Sequence, residues 1–168
     1  GADVLIGGTG IDTLSGGAGD DFIEAANIVD EPALLASLDG ITKLGDIDFG
    51  YALPDMSDSG DTVDLGPGDD TVVAGSDDSV TGGDGADEFA LGDWIEGGQP
   101  VMIEDFDVAE DLISFVHAGD QPTPDLTLEV DDQTGMTTIR ADGHAVAVLR
   151  NASPEFSLRN VAVGTYAA

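Results

Sequence analysis

A nine-residue repeat with glycine at fixed positions constrains this chain more than any other feature. Two units follow each other in register, Gly7–Ser15 and Gly16–Glu24. Each has a glycine-rich half that ends in aspartate and a short half whose second residue is apolar, Leu14 or Ile23. A backbone that turns this tightly requires positive φ, which glycine adopts without steric cost, and alternate residues of a strand point to one side. Each unit therefore predicts one tight turn and one short strand.

The aspartate that ends each glycine-rich half indicates a metal site. Its carboxylate lies where the carbonyl groups of the turn converge, and a hard cation such as Ca²⁺ prefers an all-oxygen cage. One unit supplies half of such a cage and one core side chain, so the units must stack. A flexible Gly/Asp linker is the alternative, but linkers have neither a fixed nine-residue phase nor a regular aliphatic position.

The pattern resembles the RTX (haemolysin-type) calcium-binding nonapeptide repeats of secreted bacterial proteins. The resemblance covers about residues 1–24 and 58–115. It implies an all-β fold, a right-handed parallel β-roll that forms a calcium-bound solenoid, with consecutive turns on alternate sides. Calcium is then held between one turn and the turn two units later. Asp3 would share an ion with Asp21, and Asp12 would face the other side of the roll.

A second block of repeats begins at Asp58, after the repeat phase is lost beyond Glu24. Four aspartates occupy its ligand positions: Asp61, Asp70, Asp78 and Asp87. The family pattern pairs the first with the third and the second with the fourth. The unit around Asp78 departs most from the pattern, because Ser76 and Asp77 stand where a glycine turn is expected. We therefore expect a weaker or empty site there.

The resemblance implies that aspartates and turn residues of both blocks hold several calcium ions. The expected metal ligands are Asp3, Gly7, Thr9, Gly10, Asp12, Gly16, Ala18, Gly19, Asp21, Asp61, Gly66, Gly68, Asp70, Asp78, Gly83, Gly85 and Asp87. Three carboxylates beyond the repeats, Asp105, Asp107 and Asp111, either add ligands or are solvated turn residues.

We expect four segments: repeats at 1–24, an insertion at 25–57, repeats at 58–100, and capping strands with a secretion-signal region at 101–168. In the insertion, Asp30 as N-cap and Pro32 in the first turn predict a short helix over Ala33–Leu38, which we expect to pack on the roll. An oxygen-rich loop follows at Asp46–Gly50, and we interpret it as a solvated turn without metal.

The stretch Val101–Phe115 resembles the segment that closes the open end of the roll in the family. Beyond it, alternating patterns predict strands at Asp125–Val130, Gly135–Ala141 and His144–Leu149, with a last strand at Phe156–Val163. Together these strands would form a carboxy-terminal antiparallel β cap, because a solenoid must cover the apolar interior of its last coil.

Charge sets the conditions under which such a chain can fold. The 168 residues include 35 acidic and 4 basic ones, which gives a net charge of −31. Crowded carboxylates oppose the compact state unless cations offset them, so we expect disorder without calcium and folding with it. The absence of a basic patch argues against nucleic acid, and no apolar run is long enough to insert into a membrane as a helix.

The motifs of common enzymes are absent from the sequence, and we expect no catalytic activity. His117 and His144 are isolated, no H-E-x-x-H or G-x-S-x-G motif occurs, and there is no cysteine. Because the chain opens inside a repeat unit, we expect it to be the carboxy-terminal piece of a longer protein.

The resemblance implies a calcium-binding domain of a protein that the type I secretion machinery of a Gram-negative bacterium exports. Such a chain would fold on calcium outside the cell. The alternatives are a calcium-rigidified adhesive or surface-layer module with a glycan or surface partner, and the non-catalytic carboxy-terminal module of a secreted hydrolase.

Overall fold

The computed structural model describes residues 1–28 and 60–166. In these ranges the chain forms thirteen β-strands and one 3-10 helix, Leu158–Asn160. The strands are β1 (Val4–Ile6), β2 (Thr13–Ser15), β3 (Phe22–Glu24), β4 (Thr62–Asp64), β5 (Thr71–Val73), β6 (Ser79–Thr81), β7 (Glu88–Gly92), β8 (Val101–Ile103), β9 (Leu112–Ala118), β10 (Leu126–Val130), β11 (Thr137–Ala141), β12 (His144–Leu149) and β13 (Val161–Tyr166). The predicted helix at 33–38 and the loop at 46–50 lie outside the described residues.

Successive strands alternate between two sheets. Sheet A has the order β1-β3-β5-β7-β9-β13, and sheet B has the order β10-β11-β12-β8-β6-β4-β2. Neighbours from β1 to β9 pair in parallel, each strand with the strand two elements later. The chain therefore winds into coils with one strand in each sheet, which confirms the predicted all-β parallel roll.

The middle residue of each short strand points into the roll. Ile23, Val72 and Phe89 stand in register across sheet A and are fully buried. In sheet B, Leu14 and Val63 are likewise in register, but Leu14 is only partly buried because β2 lies at the edge of its sheet. The aliphatic position of the repeat thus supplies the core, as predicted.

In the sequence, the insertion lies between two coils that are adjacent in the roll. Strand β2 pairs with β4, with Thr13 opposite Thr62, and β3 pairs with β5, with Phe22 opposite Thr71. The second block of repeats therefore stacks directly on the first. The two blocks are neighbours in the roll although residues 25–57 separate them in the sequence.

The carboxy-terminal third corrects one expectation and confirms another. Strands β8 and β9 do not close the roll but form a further coil, paired in parallel with β6 and β7. The strands β10, β11 and β12 form an antiparallel unit, as predicted, and β12 joins it to sheet B by pairing in parallel with β8.

The predicted last strand at Phe156–Val163 is wrong in its first half. Ser157 and Asn160 form a capping box around the 3-10 helix, and this arrangement bends the chain before β13 begins at Val161. Strand β13 is parallel to β9 and extends sheet A. It does not belong to the antiparallel unit.

Candidate metal-binding turns

The turns between strands form two stacks, one along each edge of the roll. Turns that lead from sheet B to sheet A end at Asp21, Asp70 and Asp87, and we call this side the B-to-A edge. Turns that lead from sheet A to sheet B end at Asp12, Asp61 and Asp78 on the A-to-B edge. The alternation predicted from the repeat spacing is therefore present.

The aspartates of each stack form a hydrogen-bonded ladder. On the B-to-A edge the backbone N–H of Asp3 donates to Asp21 Oδ1 at 2.7 Å, that of Asp21 to Asp70 Oδ1 at 2.6 Å, and that of Asp70 to Asp87 Oδ1 at 3.0 Å. On the A-to-B edge the N–H of Asp12 donates to Asp61 Oδ1, and that of Asp61 to Asp78 Oδ1, both at 2.8 Å. Each rung holds one carboxylate oxygen and leaves the other for a different partner.

Four of these second oxygens, together with Oδ2 of Asp12 at the start of the A-to-B ladder, are buried and have no hydrogen-bond partner among the described residues. They are the Oδ2 atoms of Asp12, Asp21, Asp61, Asp70 and Asp87. A buried carboxylate oxygen without a donor is strongly unfavourable unless a cation or a proton satisfies it. Regular repetition of this unsatisfied group in successive layers matches the ligand set of a hard cation.

Glycine permits the close approach of successive turns. A Cβ on Gly66 would lie 2.0 Å from the carbonyl oxygen of Gly17, and one on Gly85 would lie 1.9 Å from that of Gly68. Both glycines have positive φ, 99° and 135°. Main-chain carbonyl oxygens are thereby packed between the layers, beside the aspartate ladder. Carbonyl oxygens are ordinary Ca²⁺ ligands.

Two of the unsatisfied oxygens face the first glycine of their own turn. A Cβ on Gly16 would lie 2.8 Å from Asp21 Oδ2, and a Cβ on Gly82 would lie 2.6 Å from Asp87 Oδ2. Any side chain at these positions would fill the space in front of the carboxylate. The sites that combine carboxylate and main-chain oxygens thus depend on glycine at the start of the turn.

The remaining predicted ligands lie in the same turns. Gly7 is close to Asp61, since a Cβ there would lie 3.3 Å from Asp61 Oδ2. Thr9 and Ala18 are exposed, and Gly10 and Gly19 adopt positive φ. Asp3 is exposed at the first coil. The other turn glycines, Gly68 and Gly83, stack on Gly19 and Gly66 respectively.

No group of three or more His, Cys, Asp or Glu side chains converges on one point in the described part of the chain. An ion in these turns would therefore take most of its ligands from main-chain carbonyls and few from carboxylates.

Burial and mutual repulsion act on the ladder carboxylates. Burial raises the pKa of Asp61 and Asp70, against the lowering effect of the hydrogen bonds from Asp12 and Asp21. Burial, together with the charges of Asp111, Asp70 and Asp105, raises the pKa of Asp87 to about 6 against the lowering effect of the hydrogen bond from Asp70. Without a cation, the native arrangement favours protons on these groups.

Asp78 differs from the other ladder aspartates. Its Oδ1 accepts from the N–H of Asp61, and its Oδ2 accepts from the N–H of Gly75 at 2.6 Å. The residue before it, Asp77, adopts positive φ in place of a glycine. Both oxygens of Asp78 thus have backbone donors, in contrast to the five unsatisfied ones.

The B-to-A ladder ends in two further carboxylates whose oxygens all accept hydrogen bonds from backbone N–H groups. They belong to Asp105 and Asp111, and we call them the carboxylate seal. Asp105 accepts from the N–H groups of Gly82 and Gly83 at 2.8 and 3.0 Å. Asp111 accepts from the N–H groups of Asp87 and Asp107 at 3.0 and 2.8 Å. The seal joins the turn that ends at Asp87 to the next coil through hydrogen bonds.

Two contacts of the ladder were not anticipated from the sequence. Asp21 meets Asp70 and Asp12 meets Asp61, and in each case 49 residues separate the two aspartates. The repeat phase does span two other pairs, Asp61 with Asp78 and Asp70 with Asp87. The two aspartates of each pair are 17 residues apart.

Comparison with known proteins places the repeats in a family. The family model of the RTX calcium-binding nonapeptide repeat, in four copies, matches residues 1–27 and 67–93. Among solved structures, the chain is similar to the AlgE6R3 subunit of the Azotobacter vinelandii mannuronan C5-epimerase. Identity is 17%, coverage is 92% of this chain and 82% of that chain, and the TM-score is 0.48. No curated protein matches the chain. The two matched blocks, residues 1–27 and 67–93, are therefore RTX calcium-binding nonapeptide repeats.

Proposed function

We propose that this RTX domain binds calcium between its stacked turns and folds as the ions bind. The observation that carries the proposal is the set of five buried Oδ2 atoms without a donor, repeated in register along both edges. Calcium would offset their charge and join neighbouring layers. The free energy of binding then becomes free energy of folding, because the cage does not exist in the unfolded chain.

The ligands follow from the geometry of the two edges. Asp21, Asp70 and Asp87 would serve the B-to-A edge, and Asp12 and Asp61 the A-to-B edge, each through Oδ2. Carbonyl oxygens of the glycine turns would complete each cage. We propose that Asp78 and the carboxylate seal hold their layers without an ion, since their oxygens already accept hydrogen bonds.

The same physics supports a role in export. A chain with a net charge of −31 repels itself where free calcium is low, and an unfolded chain can pass through a channel. Outside the cell, calcium in the millimolar range of extracellular sites would fold the roll. We propose export through a type I secretion system, with the carboxy-terminal residues 160–168 in the signal and the extracellular medium as the site of action.

The domain in this proposal is a binding module without catalysis of its own. The first and second blocks of repeats, the insertion between them and the carboxy-terminal strands would act as one calcium-dependent unit. In the described residues no helix is both long enough and apolar enough to cross a membrane.

Circular dichroism during calcium titration tests the proposal. We expect a largely disordered chain in excess chelator and a cooperative gain of β-structure as calcium rises. Magnesium at the same ionic strength is the control, because it screens charge equally but demands octahedral geometry at shorter distances. A chain that is fully folded in chelator, or that folds equally well in magnesium, would contradict the proposal.

A further inference from the structure

A cavity of about 590 Å³ lies where the last coil of the roll meets the carboxy-terminal hairpin. Phe115 and His117 of β9 form one wall, and Asp142 and His144 of the β11–β12 hairpin form another. The loops that follow β7 and β9 complete it. The volume suits a small organic molecule. None of the five unsatisfied ladder aspartates lines it, so the cavity is separate from the calcium sites.

His117 provides a buried hydrogen-bond acceptor in this cavity. Its side chain is 4% exposed, and Nδ1 lies 3.0 Å from the carbonyl oxygen of Ala118. Because a carbonyl oxygen can only accept, Nδ1 carries a proton, and in the neutral form of the ring Nε2 carries the lone pair. No described residue donates a hydrogen bond to Nε2. The molecule that fills the cavity should therefore be a donor.

The charges around the cavity have one sign. Asp93 and Asp142 line it, whereas none of the arginines in residues 60–166 does. Asp93 is held in place by the hydroxyl of Tyr166 at 2.7 Å and the N–H of Ala118 at 2.9 Å. Asp142 accepts from the N–H of Asp125 at 2.9 Å through Oδ1. Fixed carboxylates within a chain of net charge −31 attract a cation and repel an anion.

The rest of the wall is apolar. Ile95, Phe115 and Val146 line the cavity, and the face of an aromatic ring also attracts cations. We propose that this cavity binds a small organic cation, an ammonium group on an apolar body, whose N–H donates to His117 Nε2. Calcium does not fit this description, because imidazole and apolar walls are poor surroundings for a hard cation.

Benzylammonium is a suitable probe, because benzyl alcohol and benzoate have nearly the same shape and differ in charge. The full chain in saturating calcium is titrated with each of the three compounds. Binding is followed by calorimetry and by the shifts of the histidine side-chain ¹⁵N resonances. We expect benzylammonium to bind saturably and shift His117 Nε2, benzyl alcohol to bind at least about tenfold more weakly, and benzoate not to bind. Equal binding of all three, or no saturable binding of benzylammonium, would overturn the proposal.

Variants separate this site from general attraction of cations. Asp142→Asn keeps the Oδ1 acceptor and removes the charge, and we expect about tenfold weaker binding of benzylammonium. Asp132→Asn makes the same change of charge in the exposed β10–β11 turn and should leave binding unaffected. Equal weakening by both would assign the binding to overall charge and refute the site. His117→Phe should abolish the contact with Nε2. If that variant does not fold, the comparison of Asp142→Asn with Asp132→Asn still tests the proposal.

Discussion

Asp21 lies directly beside Asp70, although 49 residues separate them: the Asp21 N–H donates to the Asp70 Oδ1 at 2.6 Å. Asp70 in turn donates to Asp87. An aspartate in the middle of the ladder therefore touches the layers on both sides. Loss of its charge should weaken calcium binding in both neighbouring gaps.

Asp70→Asn tests this expectation. The variant retains the Oδ1 acceptor for Asp21 but loses the negative charge of Oδ2, so we expect the calcium midpoint of folding to rise about tenfold, since ligand charge sets the affinity of calcium sites. Calorimetry should show at least one ion fewer.

Asp78→Asn is the matched control for that variant. Its amide would point a donor at the N–H of Gly75, which should cost about 1–3 kcal/mol of folding free energy while leaving the number of bound ions unchanged. Equal loss of ions in both variants would contradict the distinction between satisfied and unsatisfied carboxylates.

Asp105→Ala should destabilise the roll without changing its calcium dependence. The variant removes two hydrogen bonds to the N–H groups of Gly82 and Gly83, which should cost about 1–2 kcal/mol. The deficit should be the same at 1 mM and 10 mM calcium in denaturant unfolding. Asp84→Ala, an exposed carboxylate in the adjoining turn, controls for charge. A deficit that grows as calcium rises would indicate a lost ion, because each bound ion stabilises the folded chain more at higher calcium concentration.

Gly66→Ala should prevent the turns from stacking. Its Cβ would lie 2.0 Å from the Gly17 carbonyl oxygen, at a φ of 99°, and we expect a loss of about 4 kcal/mol or more. Gly8→Ala has a similar φ of 86° with no neighbouring atom within 4 Å, so it should cost only about 1–2 kcal/mol. Thermal or denaturant unfolding in saturating calcium measures both. Similar losses of folding free energy in the two variants would show that backbone strain, and not close packing, determines the cost of substitution.

Acid should partly replace calcium. Because burial raises the native pKa of Asp87 to about 6, the folded chain binds more protons than the unfolded chain between that pH and about 4. Stability from this group is therefore lost as pH rises through 6 and fully present below about 4. In chelator, circular dichroism should show more β-structure at pH 5 than at pH 7. Less β-structure at pH 5 than at pH 7 would contradict the raised pKa of Asp87.

The local structure of the repeats could be predicted from their sequence, but the contacts between distant coils could not. The positions of Leu14 and Ile23 and the turn at Asp142-Gly143, with φ of 50° and 83°, follow from local rules. The contact of Asp21 with Asp70 does not, because no repeat phase spans the insertion. Proximity of the two histidines at one cavity also required the fold, since 27 residues of strand and turn separate His117 from His144.

The hydrogen bonds of the carboxylate seal could not be predicted, because the chain has too many acidic residues for any one to stand out. With 35 acidic residues in the chain, nothing in the sequence distinguishes Asp105, which accepts from two backbone donors, from an aspartate that faces a cation. The parallel pairing of β13 with β9 was likewise invisible, because alternation predicts a strand and not the direction of its partner.

The way the insertion joins the roll makes this junction a natural grafting point. The strands on either side pair with each other although residues 29–59 lie between Ile28 and Gly60 in the sequence. The entropy of closing a loop grows only with the logarithm of its length, about 0.6 kcal/mol for each doubling. If the roll folds on calcium as proposed, a foreign peptide or a small domain inserted here would be displayed from a scaffold that a chelator can unfold.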